Sequence, residues 1–247
     1  LIIKTLLYPY KTLKYLYILY IRHKKITQMI KLAIFDLDGT LLNTIEDLAE
    51  STNYALEQCG FPKHNIKEYN YFVGNGIKKL FERALPQKER NETNINLIRK
   101  HFLYHYNTHN TNHTRPYPGI NNVLIQMQQS GILIAVASNK YQEATENLIH
   151  FYFGKHINFI AILGQREGIP TKPDPSIVTE ILNKANVSAN NSIYIGDSNV
   201  DMETAKRSNI ISVGVTWGFR TEKELLESGA NYIAHNTRDI INICQKL

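Results

Sequence analysis

Five stretches of this chain are apolar almost without interruption, and polar residues gather where they end. They are KLAIFDL from Lys31, GILIAVASNK from Gly131 to Lys140, NFIAILG from Asn158, NSIYIGDSNVD from Asn191 to Asp201, and ISVGVTWG from Ile211. Strands with one wet face alternate polar and apolar residues, whereas unbroken runs suit strands covered on both faces. Helical patterns lie between them, over Ile120 to Gln129, Gln142 to Phe151, Pro175 to Ala185 and Val200 to Ser208. This alternation predicts an α/β fold, a parallel sheet doubly wound with helices. The polar residues then collect at the carboxyl edge of the sheet, where open α/β sheets bind ligands.

One segment breaks the alternation. From Thr44 to about Thr114 no strand pattern is evident, while TIEDLAESTNYALEQCG reads as a helix with Thr44 and Asp47 as a capping box and Gly60 as its stop. A VGNG turn at Val73 to Gly76 follows, then helices near Ile77 to Leu85 and from about Glu89 to Tyr106. The expected organisation is a catalytic core of residues 29–43 and 115–247 with a helical cap, 44–114, inserted over the sheet edge.

Charge first suggests a polyanionic partner, then excludes one. The net charge is +6, but six of the 28 basic residues lie in residues 1–28 with no acid among them, leaving 22 against 22 in the body. No nucleic-acid partner is expected. That basic leader is read as an extension outside the native fold, since the first methionine is Met29, two residues before a well-formed strand. The competing reading is a basic amphipathic helix on an anionic membrane, which Pro9 interrupts. Cys59 and Cys244 are the two cysteines, far apart and in no metal-ligand spacing, so a reducing, cytoplasmic setting is expected.

Histidines 101, 105, 109 and 113 recur every four residues. In so polar and Asn-rich a stretch the helix is expected to fade after Tyr106, and no carboxylate or cysteine is expected to complete a metal set. They read as solvated cap and linker residues.

Four polar constellations meet at the predicted edge: Asp36 with Asp38 in FDLDGT, Ser138 with Asn139, Lys172 in TKPDP, and Asp197 with Asp201 in GDSNVD. Each alone has a dull explanation as a turn acid, a cap or a solvated lysine. In this order, three of them at strand ends, they resemble the haloacid dehalogenase superfamily of phosphatases, from Met29 to the end. FDLDGTLLNTIEDLAES, VGNGIKKLFERAL, RPYPGI, ASNK and WGFRTEKELLESGANYIA look like its phosphoglycolate phosphatase branch. Two departures are Asn43, where the branch often has Asp, and RSNI at Arg207 to Ile210, where an Ala-Gly pair is usual; Asn209 can still end a helix in the left-handed conformation.

The resemblance implies a Rossmann-like core and an Mg²⁺-dependent phosphatase acting on a small phosphorylated metabolite, such as 2-phosphoglycolate. Asp36 would be the nucleophile and Asp38 the general acid/base, with Lys172 completing the catalytic set. Asp36, the backbone carbonyl of Asp38, and Asp197 would hold Mg²⁺, with Asp201 in support. Thr40, Ser138 and Asn139 would bind substrate, and Gly74, Asn75, Gly76 and Lys78 of the cap would set its choice. A pyrophosphatase, a sugar-phosphate or nucleotide phosphatase and a phosphomutase share the pattern, as does a non-catalytic relative that has lost a motif residue. A haloalkanoate dehalogenase would not need Asp38. A receiver-like signalling domain would need neither the second aspartate nor the cap. Either a monomer or a homodimer is compatible with these readings.

Deleting residues 1–28 is expected to leave hydrolytic activity and the thermal midpoint unchanged. Leader-dependent, salt-sensitive binding of the full-length protein to anionic vesicles would contradict that expectation.

Overall fold

The computed structural model describes residues 29–247. The leader, with its two readings, lies outside the described residues. Six strands form one parallel sheet: β1 (Leu32–Phe35), β4 (Leu133–Tyr141), β5 (Phe159–Gln165), β6 (Ser192–Gly196), β7 (Ile211–Val215) and β8 (Tyr232–Ala234), in the spatial order β5-β4-β1-β6-β7-β8. A two-stranded antiparallel ribbon of β2 (Leu42–Asn43) and β3 (Arg115–Pro116) closes the passage out of the core and back into it.

The unbroken apolar runs are explained by the two covered faces. Successive strand residues point to opposite sides, so Ala33 and Phe35 of β1 join Ile134 and Val136 of β4 and Ile193 and Ile195 of β6 in one cluster. Leu32 and Ile34, Ala135 and Ala137, and Tyr194 fall in the other. The first cluster is completed by α5 (Ile120–Gln129), α6 (Gln142–Phe153) and α10 (Thr237–Lys246), the second by α7 (Ser176–Ala185) and α8 (Asn199–Arg207). A short α9 (Glu222–Glu227) precedes β8.

The order of the strands creates the site. From β1 the chain lays down β4 and β5 on one side, then crosses back to place β6, β7 and β8 on the other. The crevice at such a reversal, beyond the carboxyl ends of β1 and its neighbours, is where ligands bind.

Between β2 and β3 the chain forms α1 (Ile45–Gln58), α2 (Ile66–Phe72), α3 (Ile77–Ala84) and α4 (Glu92–His109). These bury a core of their own that includes Leu48, Leu56, Tyr69, Phe81, Ile98, Phe102 and Tyr106. Each such side chain contributes about 1.5–3 kcal/mol on burial. Ala144 of α6, Tyr141 and Phe219 also pack into this cluster and tie the cap to the core.

Local signals held wherever no tertiary partner competed. Gly60 takes a φ of +74°, and Phe61 N–H returns to Leu56 C=O at 2.8 Å, a left-handed helix stop. Asn209 does the same at φ +52°, with Ile210 N–H on Ala205 C=O at 3.0 Å. α4 runs on to His109, past the expected fading point at Tyr106. The short α2 went unforeseen, although Asn65 and Glu68 form a capping box, because Tyr69 is its only buried residue.

The capping box expected of Thr44 and Asp47 is absent, because both side chains are taken elsewhere. Thr44 makes no cap bond and instead donates its hydroxyl to Asp38 Oδ1 at 2.7 Å. Asp47 accepts His113 N–H at 2.9 Å, Thr114 N–H at 2.9 Å and the Thr114 hydroxyl at 2.7 Å. It therefore clamps the returning hinge strand to α1.

Asp47→Ala leaves these buried donors without a partner and should destabilise the fold by about 1–3 kcal/mol, read by urea denaturation. A change no larger than that of an ordinary surface substitution would show that the clamp contributes little.

Candidate active site

The carboxyl edge is built around one buried ammonium. Lys172 Nζ donates to Asp36 Oδ1 at 2.7 Å, to Asp201 Oδ1 at 2.7 Å and to the Tyr194 hydroxyl at 2.9 Å, so all three of its donors are used. Burial opposes its charge, but Asp201 and Asp36 outweigh burial and hold its pKa well above the usual lysine value. Asp36 follows β1, and its N–H continues the ladder to Ile195 C=O at 2.9 Å. Asp201 lies in the first turn of α8, where Oδ2 accepts Ser198 N–H at 3.1 Å and the Ser198 hydroxyl at 2.6 Å. With Oδ1 on Lys172, both its oxygens are engaged.

Asp197 follows β6, and its Oδ2 accepts Phe219 N–H at 2.7 Å. A Cβ built on Gly39 would come within 2.2 Å of Asp197 Oδ2, and one on Gly218 within 2.3 Å of Asp197 Cβ. Both glycines are required by this close approach, and Gly39, at φ +89°, by its backbone as well.

Carboxylate oxygens of Asp36, Asp197 and Asp201 lie within 4.8 Å of one another. Burial pushes Asp36 up to about 7, with Lys172 pulling the other way and Asp201 and Asp38 adding to the rise. Burial, then Asp201 and Asp36, raise Asp197 well above the usual carboxylate range. Three crowded, buried acids facing one lysine fit a hard divalent cation that prefers oxygen ligands. With Asp201 committed to Lys172 and Ser198, Asp36 and Asp197 are the side chains able to hold such an ion.

Asp38 faces the cap. Lys140 Nζ contacts its Oδ1 at 3.0 Å and Oδ2 at 3.2 Å, beside the Thr44 hydroxyl. Asp36, Asp38, Ser138, Asn139 and Lys140 form the core side of a cavity of about 50 Å³, roofed by cap residues including Leu48, Val73, Gly74, Gly76, Ile77 and Tyr106.

Several expected contacts are placed differently. Asn139 is a brace: its Nδ2 donates to Gly74 C=O and Lys172 C=O, and its Oδ1 accepts Lys172 N–H at 2.8 Å. Thr40 is fully buried and is not among the cavity-lining residues; its carbonyl accepts Trp217 Nε1–H at 3.1 Å. Asn75 receives Arg83 Nη2–H at 2.8 Å and does not line the cavity. Lys78 is turned outward, ion-paired with Glu92 of α4, so its proposed place at the substrate is corrected. Of the four cap residues expected at the substrate, Gly74 and Gly76 border the cavity, beside Val73.

The histidine stretch is also more structured than its polarity implied. His105 Nδ1 lies 3.0 Å from the Ser51 hydroxyl, and its ring stacks between those of Tyr54 and His109. Carboxylates do approach His113, from Glu46 and Glu50 of α1, as exposed ion pairs of 3.7 and 3.5 Å.

Sequence reasoning overlooked Lys140 and Arg220, although both stand in stretches it singled out. Arg220 Nη2 donates to Val73 C=O at 3.0 Å while Nε pairs with Glu224 at 3.3 Å, so the core grips the cap turn at two successive carbonyls, Val73 by Arg220 and Gly74 by Asn139. The available signal was position: Lys140 closes the GILIAVASNK run and Arg220 follows Phe219, both near the carboxyl edge.

The haloacid dehalogenase-like hydrolase profile matches residues 33–215, which span core and cap together. The chain belongs to the haloacid dehalogenase-like hydrolase family. A phosphoglycolate phosphatase of Mesorhizobium japonicum is 34% identical over 196 residues, 78% of this chain and 86% of that protein. The crystal structure of a Lactobacillus delbrueckii subsp. bulgaricus protein superposes with a TM-score of 0.82 at 31% identity, covering 87% of this chain and 98% of that one. A predicted phosphoglycolate phosphatase from Haemophilus somnus gives a TM-score of 0.81 at 28% identity, covering 88% and 99%. Within the family the chain falls in the phosphoglycolate phosphatase branch, as a phosphoric monoester hydrolase. Among the described residues no helix is long and apolar enough to cross a membrane.

The raised pKa of Asp36 has a measurable sign. The metal-free fold keeps a proton that the unfolded chain releases near the ordinary value of 3.8, so stability from this group is lost as pH rises toward about 7. In chelator, the thermal midpoint of the wild type should fall between about pH 5 and about pH 7 more steeply than that of Asp36→Asn, and added Mg²⁺ should raise it more at the higher pH. Equal slopes in the two proteins would contradict the crowding argument.

Proposed function

We propose that this hydrolase cleaves 2-phosphoglycolate, with Mg²⁺ as its metal and an aspartyl phosphate on Asp36 as intermediate. The observation that carries the reading is the Asp36–Lys172–Asp201 group at the strand-order reversal, beneath a cap that leaves only a small cavity. About 50 Å³ is room for a few water-sized groups, which favours a short leaving group over a sugar or nucleotide.

Hydrolysis of a phosphate monoester requires charge neutralisation, in-line placement of a nucleophile and a proton for the leaving oxygen. Asp36 is held by Lys172 so that one carboxylate oxygen stays free to attack phosphorus, dividing one difficult displacement into two easier ones. The Ser138 hydroxyl donates to the phosphoryl oxygens, and the Lys172 ammonium, its donors held by Asp36, Asp201 and Tyr194, adds positive charge beside them. Asp38, on the cap side of the cavity, protonates the leaving oxygen and then takes the proton of the attacking water. Asp36, Asp197 and the Asp38 carbonyl would hold Mg²⁺, which would supply positive charge near the phosphoryl oxygens. Asp201 acts through Lys172, fixing its direction.

A screen of phosphate esters with the purified protein, including phosphoglycolate, pyrophosphate, nucleotides and sugar phosphates, tests the substrate. Phosphoglycolate is expected to give the highest kcat/KM, and a higher value for a nucleotide or a hexose phosphate would overturn the assignment. Asp36→Asn should lower turnover by on the order of 10⁴-fold or more with the fold intact. Asp38→Asn should still form phosphoenzyme from an activated ester but break it down about 10²- to 10⁴-fold more slowly. Breakdown at the wild-type rate would remove Asp38 from its role.

A further inference from the structure

The phosphoryl chemistry above leaves two buried polar groups of the cavity unused. Lys140 lies at the end of β4 and is 8% exposed. It is the one cation among the residues lining the cavity. Its ammonium has three donors, and the Asp38 carboxylate, at 3.0 and 3.2 Å, is its only acceptor among the described residues. It also sits 4.9 Å from the centre of the Tyr106 ring, so the two side chains are neighbours across the core–cap boundary.

Tyr106, on α4, is fully buried, and its hydroxyl has no hydrogen-bond partner among the described residues. A buried hydroxyl without a partner costs free energy, so one left this way in a cavity wall points to a ligand. The other side chains that the cap contributes to that wall are apolar: Leu48, Val73, Ile77, Leu80 and Phe102. Tyr106 thus brings the only polar side-chain atom from the cap residues of that wall, its ring 4.9 Å from the ammonium of the cavity's only cation.

We propose that Lys140 and the Tyr106 hydroxyl form the subsite for a second anionic group, a carboxylate carried by the leaving part of the substrate. This rests on the phosphoglycolate reading and adds to it which residues recognise the acid. Lys140 would be shared between Asp38 and the incoming carboxylate, offsetting the repulsion of two like charges, while Tyr106 would donate the second hydrogen bond. Burial, then Asp38 and Asp47, hold the Tyr106 pKa well above the usual phenol value, so the hydroxyl remains a donor at neutral pH. A leaving group of the same size without charge would leave the Tyr106 hydroxyl unpaired and Lys140 with Asp38 alone. Sites built to hydrogen-bond a group reject analogues that lack it for this reason.

Non-hydrolysable ligands test the subsite apart from turnover. 3-Phosphonopropionate has the shape of phosphoglycolate with a methylene for the bridging oxygen, and propylphosphonate lacks its carboxylate. The wild type is expected to bind the first at least about tenfold more tightly than the second, as a charge-assisted hydrogen bond implies. Lys140→Met should abolish that ratio, Lys140→Arg should restore part of it, and Tyr106→Phe should lower it severalfold, with unchanged circular dichroism in each. A wild-type preference that survives in Lys140→Met would overturn this subsite while leaving the phosphoglycolate assignment standing. No preference in the wild type would also overturn it, and the ester screen would then decide the substrate independently.

Discussion

Lys172 is the interaction on which the carboxyl edge depends. Its ammonium is buried and uses each of its donors on groups from different parts of the chain: Asp36 after β1, Tyr194 within β6 and Asp201 in α8. A buried charge is tolerated only when paired and fully hydrogen-bonded, and removing its partners is expensive. The converse holds for the acids, since Asp36, Asp197 and Asp201 crowd together with one lysine to balance them. Burial, with this imbalance adding to it, keeps the pKa values of Asp36 and Asp197 high and makes the site fit a divalent cation. The electrostatics of the acid cluster and the placement of Asp36 therefore have a common origin.

The cap adds a second layer of constraint through backbone carbonyls. Val73 and Gly74 are held by Arg220 and Asn139 of the core, while Asp47 ties the returning hinge to α1. Asn139 also fixes the backbone of Lys172 at both its N–H and its C=O. The same amide thus ties the backbone of Lys172 to the cap turn at Gly74. The cavity between them has an almost wholly apolar roof, in which the Tyr106 ring lies beside Lys140.

Much of this was legible in the linear chain. Unbroken runs such as KLAIFDL could only be strands covered on both faces, and the alternating clusters on either side of β1 show why. Helix stops at Gly60 and Asn209 followed from backbone conformation alone. Asp36 and Asp197 stood out because they directly follow apolar strands, whereas Lys172, in the loop before α7, and Asp201, in the first turn of α8, stood out through the family resemblance of their stretches.

What the sequence by itself determined was the doubly wound sheet, the place of the helical insertion and the residues along the carboxyl edge, because each depends on local periodicity or on short-range chain geometry. The tertiary structure decided which partners the long polar side chains take. Thr44 and Asp47 have the spacing of a cap, yet Asp38 and the hinge at Thr114 outcompete the helix end. Lys78 has the charge of an anion ligand but pairs with Glu92 on the outside, whereas Lys140, looking like the polar end of a strand, is turned onto Asp38. Lys140 and Asp38 lie 102 residues apart, and Asp47 and Thr114 lie 67 apart, so these partners meet only in the folded chain and no local pattern encodes them.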